Sequence, residues 1–246
     1  SNGNHVLEWW ADPLSTPDCT LAGTVMVAAA ETITGRNFQL DAGAQVSGTV
    51  TDHLGVPVTS GGYVYAYTGD PCGEHSSVSS GSISPTDGTY TIQQLPAGSY
   101  YLYASAYQGL SPEWWDDSGL STPDCSGADT LAVAMGATVT NKNFQLDPPS
   151  DLSGTVTDSA GVPVTSGGYV IAYRGDPCGE HTSVKYGSIN SDGTYMITAL
   201  QAGTYYLYAY AWYGNLTSEW WADPESEWDC TSAQQVVAAG GVPVTD

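Results

Sequence analysis

A whole-domain internal repeat constrains this chain more than any other feature. Ser47–Asp52 reads SGTVTD, and the same six residues return 106 positions later at Ser153–Asp158. The match continues through GVPVTSGGYV (Gly55–Val64, Gly161–Val170), GDPCGEH (Gly69–His75, Gly175–His181) and DGTY (Asp87–Tyr90, Asp192–Tyr195). A back part of the unit occurs three times, as EWW at Glu8–Trp10, Glu113–Trp115 and Glu219–Trp221. Each copy is followed by an Asp-Cys pair, at Asp18–Cys19, Asp124–Cys125 and Asp229–Cys230. NFQLD occurs twice, at Asn37–Asp41 and Asn143–Asp147. A period this long exceeds one solenoid turn and suits a small domain with its own core. The chain therefore divides into 1–41, the back part of one repeat, 42–147, a complete repeat, and 148–246, a repeat one strand short, with Asp246 aligned to Asn141.

Inside a repeat, apolar residues alternate with period two and are interrupted every 8–12 residues by Gly, Pro, Asp and Ser. That pattern predicts an all-β chain of tandem seven-stranded Greek-key β-sandwiches, and no stretch reads as an amphipathic helix. Strands are expected near 46–52, 63–68, 81–84, 89–94, 99–106, 130–135 and 138–146. The segment VSGTVTDHLGVPVTSGGYVYAY, continued by TDGTYTIQQLPAGSYYLYASAYQG, resembles the bacterial carboxypeptidase regulatory-like repeats, a prealbumin-like (transthyretin-like) sandwich. Gly48, Asp52, Gly55, Pro57, Asp87, Gly88, Tyr90, Leu95, Pro96, Gly98 and Tyr100 stand where that pattern expects them, and Gly154 to Tyr205 repeat it. The resemblance implies an accessory, adhesive or structural module of a secreted protein, without catalytic residues of its own.

Charge removes two partner classes. Four Lys and Arg against 26 Asp and Glu give a net charge of −22. So few cations cannot form the basic patch that nucleic acid or an anionic membrane surface needs. No apolar run is long enough to insert into a membrane, and the first residues show neither the basic start nor the apolar core of a signal peptide. The chain reads as already exported, or as cut from something longer.

Five cysteines, at 19, 72, 125, 178 and 230, alternate between GDPC and DC contexts. Alternation pairs Cys72 with Cys125 and Cys178 with Cys230, and leaves Cys19 as the orphan of a repeat whose other half lies outside the sequence. Disulfides place the protein outside the cell or on its surface. The competing reading is a thiolate metal site, since Cys72 and His75, like Cys178 and His181, stand three apart. It would need a carboxylate to complete the ligand set.

Acids gather beside these cysteines: Asp70, Glu74, Glu113, Asp116, Asp117 and Asp124 in one repeat, and Asp176, Glu180, Glu219, Asp223, Glu225 and Asp229 in the next, with Glu227 among the latter. Bridging would draw them to one end of each sandwich, where hard oxygen ligands on flexible loops suit calcium. A solvated acidic rim is the alternative. On the strands, small and aliphatic residues alternate with Tyr63, Tyr65, Tyr67, Tyr101 and Tyr103, and again with Tyr169, Tyr173, Tyr206 and Tyr208. The first set should face the core, which puts a tyrosine stripe outside, fit for protein contact or for stacking a polysaccharide. For each Trp pair, one ring is expected to plug the sandwich and the other to be an exposed platform for a sugar ring or to seat against the neighbouring repeat.

Enzyme chemistry has little to work with. There is no Gly-x-Ser-x-Gly elbow, phosphate loop or His-Glu-x-x-His, and neighbouring acids such as Asp116 and Asp117 are a weak case for glycoside hydrolysis. Asn215-Leu216-Thr217 is a lone glycosylation sequon. A front without a back at one end and a back without a front at the other are complementary, so head-to-tail self-association into a filament is expected, either by a strand donated from a neighbour or within a longer covalent polypeptide of which this sequence is a window. The assembly strand would be Ile33 to Asp41, carrying Ile33, Phe38 and Leu40. The expected role is a non-catalytic structural subunit of an extracellular filament, stalk or matrix, disulfide-bonded and calcium-stabilised. The rival is a carbohydrate-binding accessory array.

Overall fold

The computed structural model describes residues 3–107, 109–119, 121–214, 216–223, 226–241 and 244–245. Glu225, Asn215 and Asp246 lie outside the described residues. The chain is all-β. Among the described residues, helix is confined to three single 3-10 turns at Cys19–Leu21, Cys125–Gly127 and Cys230–Ser232. Two compact units form, Ser1–Gln108 with Pro112–Leu146, and Gly109–Ser111 with Asp147–Asp246.

In the first unit the strands are β1 (Trp9–Trp10), β2 (Ser15–Thr16), β3 (Ala44–Asp52), β4 (Gly62–Gly69), β5 (His75–Ser82) and β6 (Thr89–Leu95). They are followed by β7 (Gly98–Ala106), β8 (Glu113–Trp115), β9 (Ser121–Thr122), β10 (Leu131–Val133), β11 (Thr138–Val139) and β12 (Phe144–Leu146). One sheet runs β5-β4-β7-β8-β9, with β10 also paired to β7. The other centres on β3, flanked by β6 antiparallel on one side and by β11 and β12 parallel on the other. Alternation works as the sequence predicts. Val64, Ala66, Leu102 and Ala104 turn inward from the first sheet to meet Val46, Val50, Tyr90, Ile92, Phe144 and Leu146 from the second, all nearly without solvent contact.

Three details depart from the strand pattern read from sequence. Strand β5 starts at His75 rather than Gly81, because Ser-rich residues gain ladder bonds from β4 although they offer no apolar alternation. The single strand expected over 138–146 is two short ones, broken around Asn141, whose φ is 62°. EWW at Glu113–Trp115 is itself a strand, antiparallel to β7.

The second unit holds β13 (Ser150–Thr155), β14 (Gly168–Gly175), β15 (His181–Ser188), β16 (Thr194–Leu200), β17 (Gly203–Ala211), β18 (Glu219–Trp220), β19 (Val236–Ala238) and β20 (Val244–Thr245). Its sheets repeat those of the first: β15-β14-β17-β18 with β19 on β17, and β16-β13-β20. The core again joins both sheets, through Leu152, Ile197 and Leu200 on one side and Val170, Ala172, Tyr205 and Leu207 on the other. Among the described residues, no strand covers the edge of Val156–Asp158, the place that β12 takes in the first unit.

Candidate functional site: bridged loops, aromatic face and sheet edge

The structure joins Cys72 to Cys125 and Cys178 to Cys230, across 53 and 52 residues of sequence. Cys19 is exposed and unbonded. Each of the three DC cysteines opens a 3-10 turn capped by the preceding aspartate: Asp18, Asp124 and Asp229 accept from the N–H of Thr20, Ser126 and Thr231 at 2.8, 3.0 and 3.0 Å. Hydrogen bonds from Thr20, side chain first, hold the Asp18 carboxyl below the usual aspartate value. The bridges consume the thiols that a thiolate metal site would have used.

The acids near the bridges have local tasks. Asp70 and Asp176 accept from the N–H of Cys72 and Cys178, each at 2.9 Å, and Asp116 accepts from Ser118 N–H at 2.9 Å. Asp117 pairs with Lys142 at 3.6 Å. Glu113 is fully buried and accepts from Ser121 Oγ at 2.6 Å, whereas Glu219 accepts from Thr217 and Ser226. Glu74, Glu180 and Asp223 are exposed. Among the described residues, the groupings whose metal-ligand atoms lie within 4.8 Å of one another are Cys72–Asp124–Cys125 and Cys178–Asp229–Cys230. Each contains one carboxylate beside a formed bridge.

The tyrosine stripe lies on the outer face of the first sheet. Tyr107, Tyr63, Tyr65 and Tyr67 follow one another with ring centroids 6.0, 5.9 and 5.9 Å apart. Tyr67 then meets His75, Tyr103 and Trp114 at 4.8, 6.3 and 5.7 Å. Tyr101 shares the outward side of β7 and is half-buried. His75 Nδ1 lies 3.0 Å from the Gly73 carbonyl and 3.3 Å from that of Asp70. Both oxygens only accept, so Nδ1 carries the proton. In the second unit Tyr173, His181, Tyr208 and Trp220 rebuild this cluster, with centroids 4.9 to 5.7 Å apart. Ile171 replaces Tyr65 there and splits the stripe, leaving Tyr169 with Tyr186 and Trp212 at 5.0 and 5.3 Å. Tyr206 accepts from Gln235 Nε2 at 3.0 Å. Both rings of the first unit's pair, Trp114 and Trp115, are buried, so neither is the exposed platform that is one of the two expectations for the second ring. Two apolar residues in a three-residue strand bury together because β8 is covered on both faces.

At the sheet edge, β12 lies parallel to β3 with Phe144 opposite Val50, Gln145 opposite Thr51 and Leu146 opposite Asp52. Asn143 Oδ1 accepts from Thr49 N–H at 3.0 Å, and Tyr90 Oη donates to the Lys142 carbonyl. Gly48 is required by this approach, since a Cβ there would overlap the Lys142 carbonyl oxygen. Lys142 sits over Trp115 at 4.1 Å. The segment 36–41 carries the same residues, with Arg36 for Lys142, but no strand forms. Phe38 and Leu40 are 55% and 47% exposed, against 1% and 0% for Phe144 and Leu146. Ile33 is half-buried. Repeats give a sequence reader the identity of this strand; its uncovered state follows only from the structure.

No family model matches the sequence, and no curated protein matches it. Solved structures with partial likeness are the minor pilin GBS52 of Streptococcus agalactiae (13% identity, 82% of this chain and 93% of that one, TM-score 0.42) and a streptococcal ancillary pilin (14%, 89% and 66%, 0.40). The Bacillus anthracis TIE protein is a third (13%, 85% and 33%, 0.32), so this chain spans about a third of its length. Likeness at this level does not extend to function.

Proposed function

We propose that this protein is a non-catalytic structural subunit of an extracellular filament, in which disulfide-stapled sandwiches join head to tail. The carrying observation is internal to the molecule: the same two-sheet sandwich, stapled by the same bridge, is repeated along the chain. The pattern shared with carboxypeptidase regulatory-like repeats is compatible with such a role. Electron microscopy and sedimentation of the purified protein test it. Linear, concentration-dependent assemblies are expected, and single subunits at every concentration would overturn the reading.

Calcium belongs to the same proposal, supported by the −22 charge and the acids flanking both bridges. A chelator should then lower the melting temperature or loosen assembly. If it does neither, and elemental analysis finds no metal, the acids form a solvated rim. A second reading, polysaccharide binding, is favoured by the unbroken aromatic run from Tyr107 to Trp114. A glycan array decides it, since single subunits that hold a neutral glycan on this face would favour the rival.

A further inference from the structure

Strands β4 and β14 lead into the bridged turn through nearly the same residues, GYVYAYTGDPCGEH from Gly62 and GYVIAYRGDPCGEH from Gly168. They differ at two places, Tyr65 against Ile171 and Thr68 against Arg174. In the second unit the half-buried Arg174 closes the end of the sheet. Its guanidinium lies over the Tyr205 ring at 5.0 Å, and Nη2 donates to the Ala202 carbonyl at 3.2 Å and to Tyr205 Oη at 2.9 Å. Tyr205 can accept because its own proton goes to the Gln201 carbonyl at 2.8 Å, which leaves the lone pairs of the hydroxyl for the cation.

The first unit keeps this receptor and lacks the cation. Tyr100 Oη donates to the Pro96 carbonyl at 2.8 Å, the same commitment that Tyr205 makes. Ala97 and Gly98 are exposed, whereas their counterparts Ala202 and Gly203 are half-buried. Arg174 accounts for that difference, since a Cβ on Gly203 would lie 2.9 Å from Nη2. Thr68 ends at its γ atoms and cannot reach so far. Beside it opens a pocket of about 570 Å³ lined by Thr68, Gly69, Gly73, Glu74, His75 and Ser76. The strands around the two positions are alike in both units, β5-β4-β7 and β15-β14-β17.

We propose that the first unit binds a guanidinium group supplied from outside this sandwich, in the place that Arg174 fills in the second. The group stacks on Tyr100 and donates to the Ala97 carbonyl and Tyr100 Oη, with Glu74 on the pocket wall as its counter-charge. This goes beyond the filament reading, because a single subunit carries the whole site.

Chemistry narrows the ligand. A carbonyl, a phenol oxygen whose proton is already given away and a carboxylate all accept, so the ligand must donate. A flat ring takes a flat cation, and one guanidinium nitrogen carries two in-plane N–H bonds that reach both acceptors, as Arg174 Nη2 does. An ammonium has neither the plane nor the fork. The net charge of −22 gathers cations around the molecule and repels anionic ligands.

Titration of the full-length chain with N-acetylarginine amide, followed by NMR, tests the site. Saturable binding of a single molecule per chain is expected, in the millimolar range suited to so small a ligand. The lysine analogue should bind at least about threefold more weakly. Thr68→Arg reproduces the second unit's own residue and should abolish binding, whereas Leu54→Arg adds the same charge at an exposed loop and should change it by less than about twofold. Arg174→Thr reproduces the first unit's residue and should create a second site, so that the ligand restores part of the melting temperature this variant loses. A capped Gly-Arg-Gly peptide that binds more tightly than the amide supports an arginine on a polypeptide as the natural cation; equal binding supports a small guanidinium compound. No saturable binding, binding that survives Thr68→Arg, an equal loss with Leu54→Arg, or a lysine analogue that binds as well as arginine overturns the proposal.

Discussion

Strands β3 and β13 enter the same repeat sequence and end differently. Strand β3, Ala44–Asp52, runs through all of SGTVTD, whereas β13, Ser150–Thr155, stops after SGT. Identical local sequence cannot give two lengths, so intrinsic strand propensity does not set where the strand stops. The neighbour does. Phe144–Leu146 pairs with the last three residues of β3 and seals Val50, while the corresponding Val156–Asp158, past the end of β13, lack a parallel partner among the described residues. Strand extent here is a tertiary property, as the context dependence of β propensity leads one to expect.

The staples should be the same in both units, and breaking them is the largest test. Cys72→Ala with Cys125→Ala, or Cys178→Ala with Cys230→Ala, each opens a loop of 53 or 52 residues. Each pair should destabilise its own unit by about 4 kcal/mol, read from denaturant unfolding. A much larger loss from one pair would mean that the two sandwiches are less alike than their sheets suggest.

Next in size is the covered strand against the uncovered one. Phe144→Ala empties a fully buried site and should cost on the order of 3 kcal/mol. Phe38→Ala acts on a ring 55% exposed and should change the stability of the isolated chain by less than about 0.5 kcal/mol. Equal effects on the isolated chain would show that Phe38 is covered in solution.

A smaller contrast is the stripe. Tyr65 stacks between Tyr63 and Tyr67 at 5.9 Å to each, and Ile171 interrupts the same line in the second unit. Tyr65→Ile should cost about 0.5–1 kcal/mol, and Ile171→Tyr should recover part of that in the other unit. If the face binds a glycan, Tyr65→Ile should weaken that binding as well.

Much of this was legible from sequence, for a physical reason. Period-two alternation put Val64, Ala66, Leu102 and Ala104 inside and the tyrosines outside, because a pleat leaves no other choice. Alternating Cys contexts gave the same pairs that the structure joins. What the sequence hid depended on neighbours. His75–Ser80 has no apolar alternation, so its membership in β5 comes only from bonding to β4. Glu113 looked like an open-loop ligand but is buried against Ser121, because EWW is a strand covered on both faces. The sequence also did not show that Asp70, Asp124 and their repeats each accept the N–H two residues further on, which ties every one of these carboxylates to its own turn.

The finest contrast separates Tyr100 from Tyr205, which hold the same place in the two cores. Each hydroxyl donates to the carbonyl four residues back, Pro96 or Gln201, at 2.8 Å. Burial raises both above the ordinary tyrosine value of 10.0. In the second unit Arg174, which donates to Tyr205 Oη at 2.9 Å, pulls against that rise, whereas Thr68 stands there in the first. A raised native value means that the folded state keeps a proton which the unfolded chain releases. The stability so contributed is complete below pH 10 and is lost as pH climbs through the folded value. Alkali should therefore weaken both units from about pH 10 upward. Burial pushes Tyr90 far up too, adding to the loss in the first unit. Arg174→Thr removes the opposing charge, so ultraviolet titration should find the Tyr205 phenolate forming at higher pH than in the parent protein. The second unit should then lose stability more steeply in alkali. A phenolate that forms at the same or lower pH would mean that Arg174 does not act on this hydroxyl, and that the two tyrosines differ for some reason other than charge.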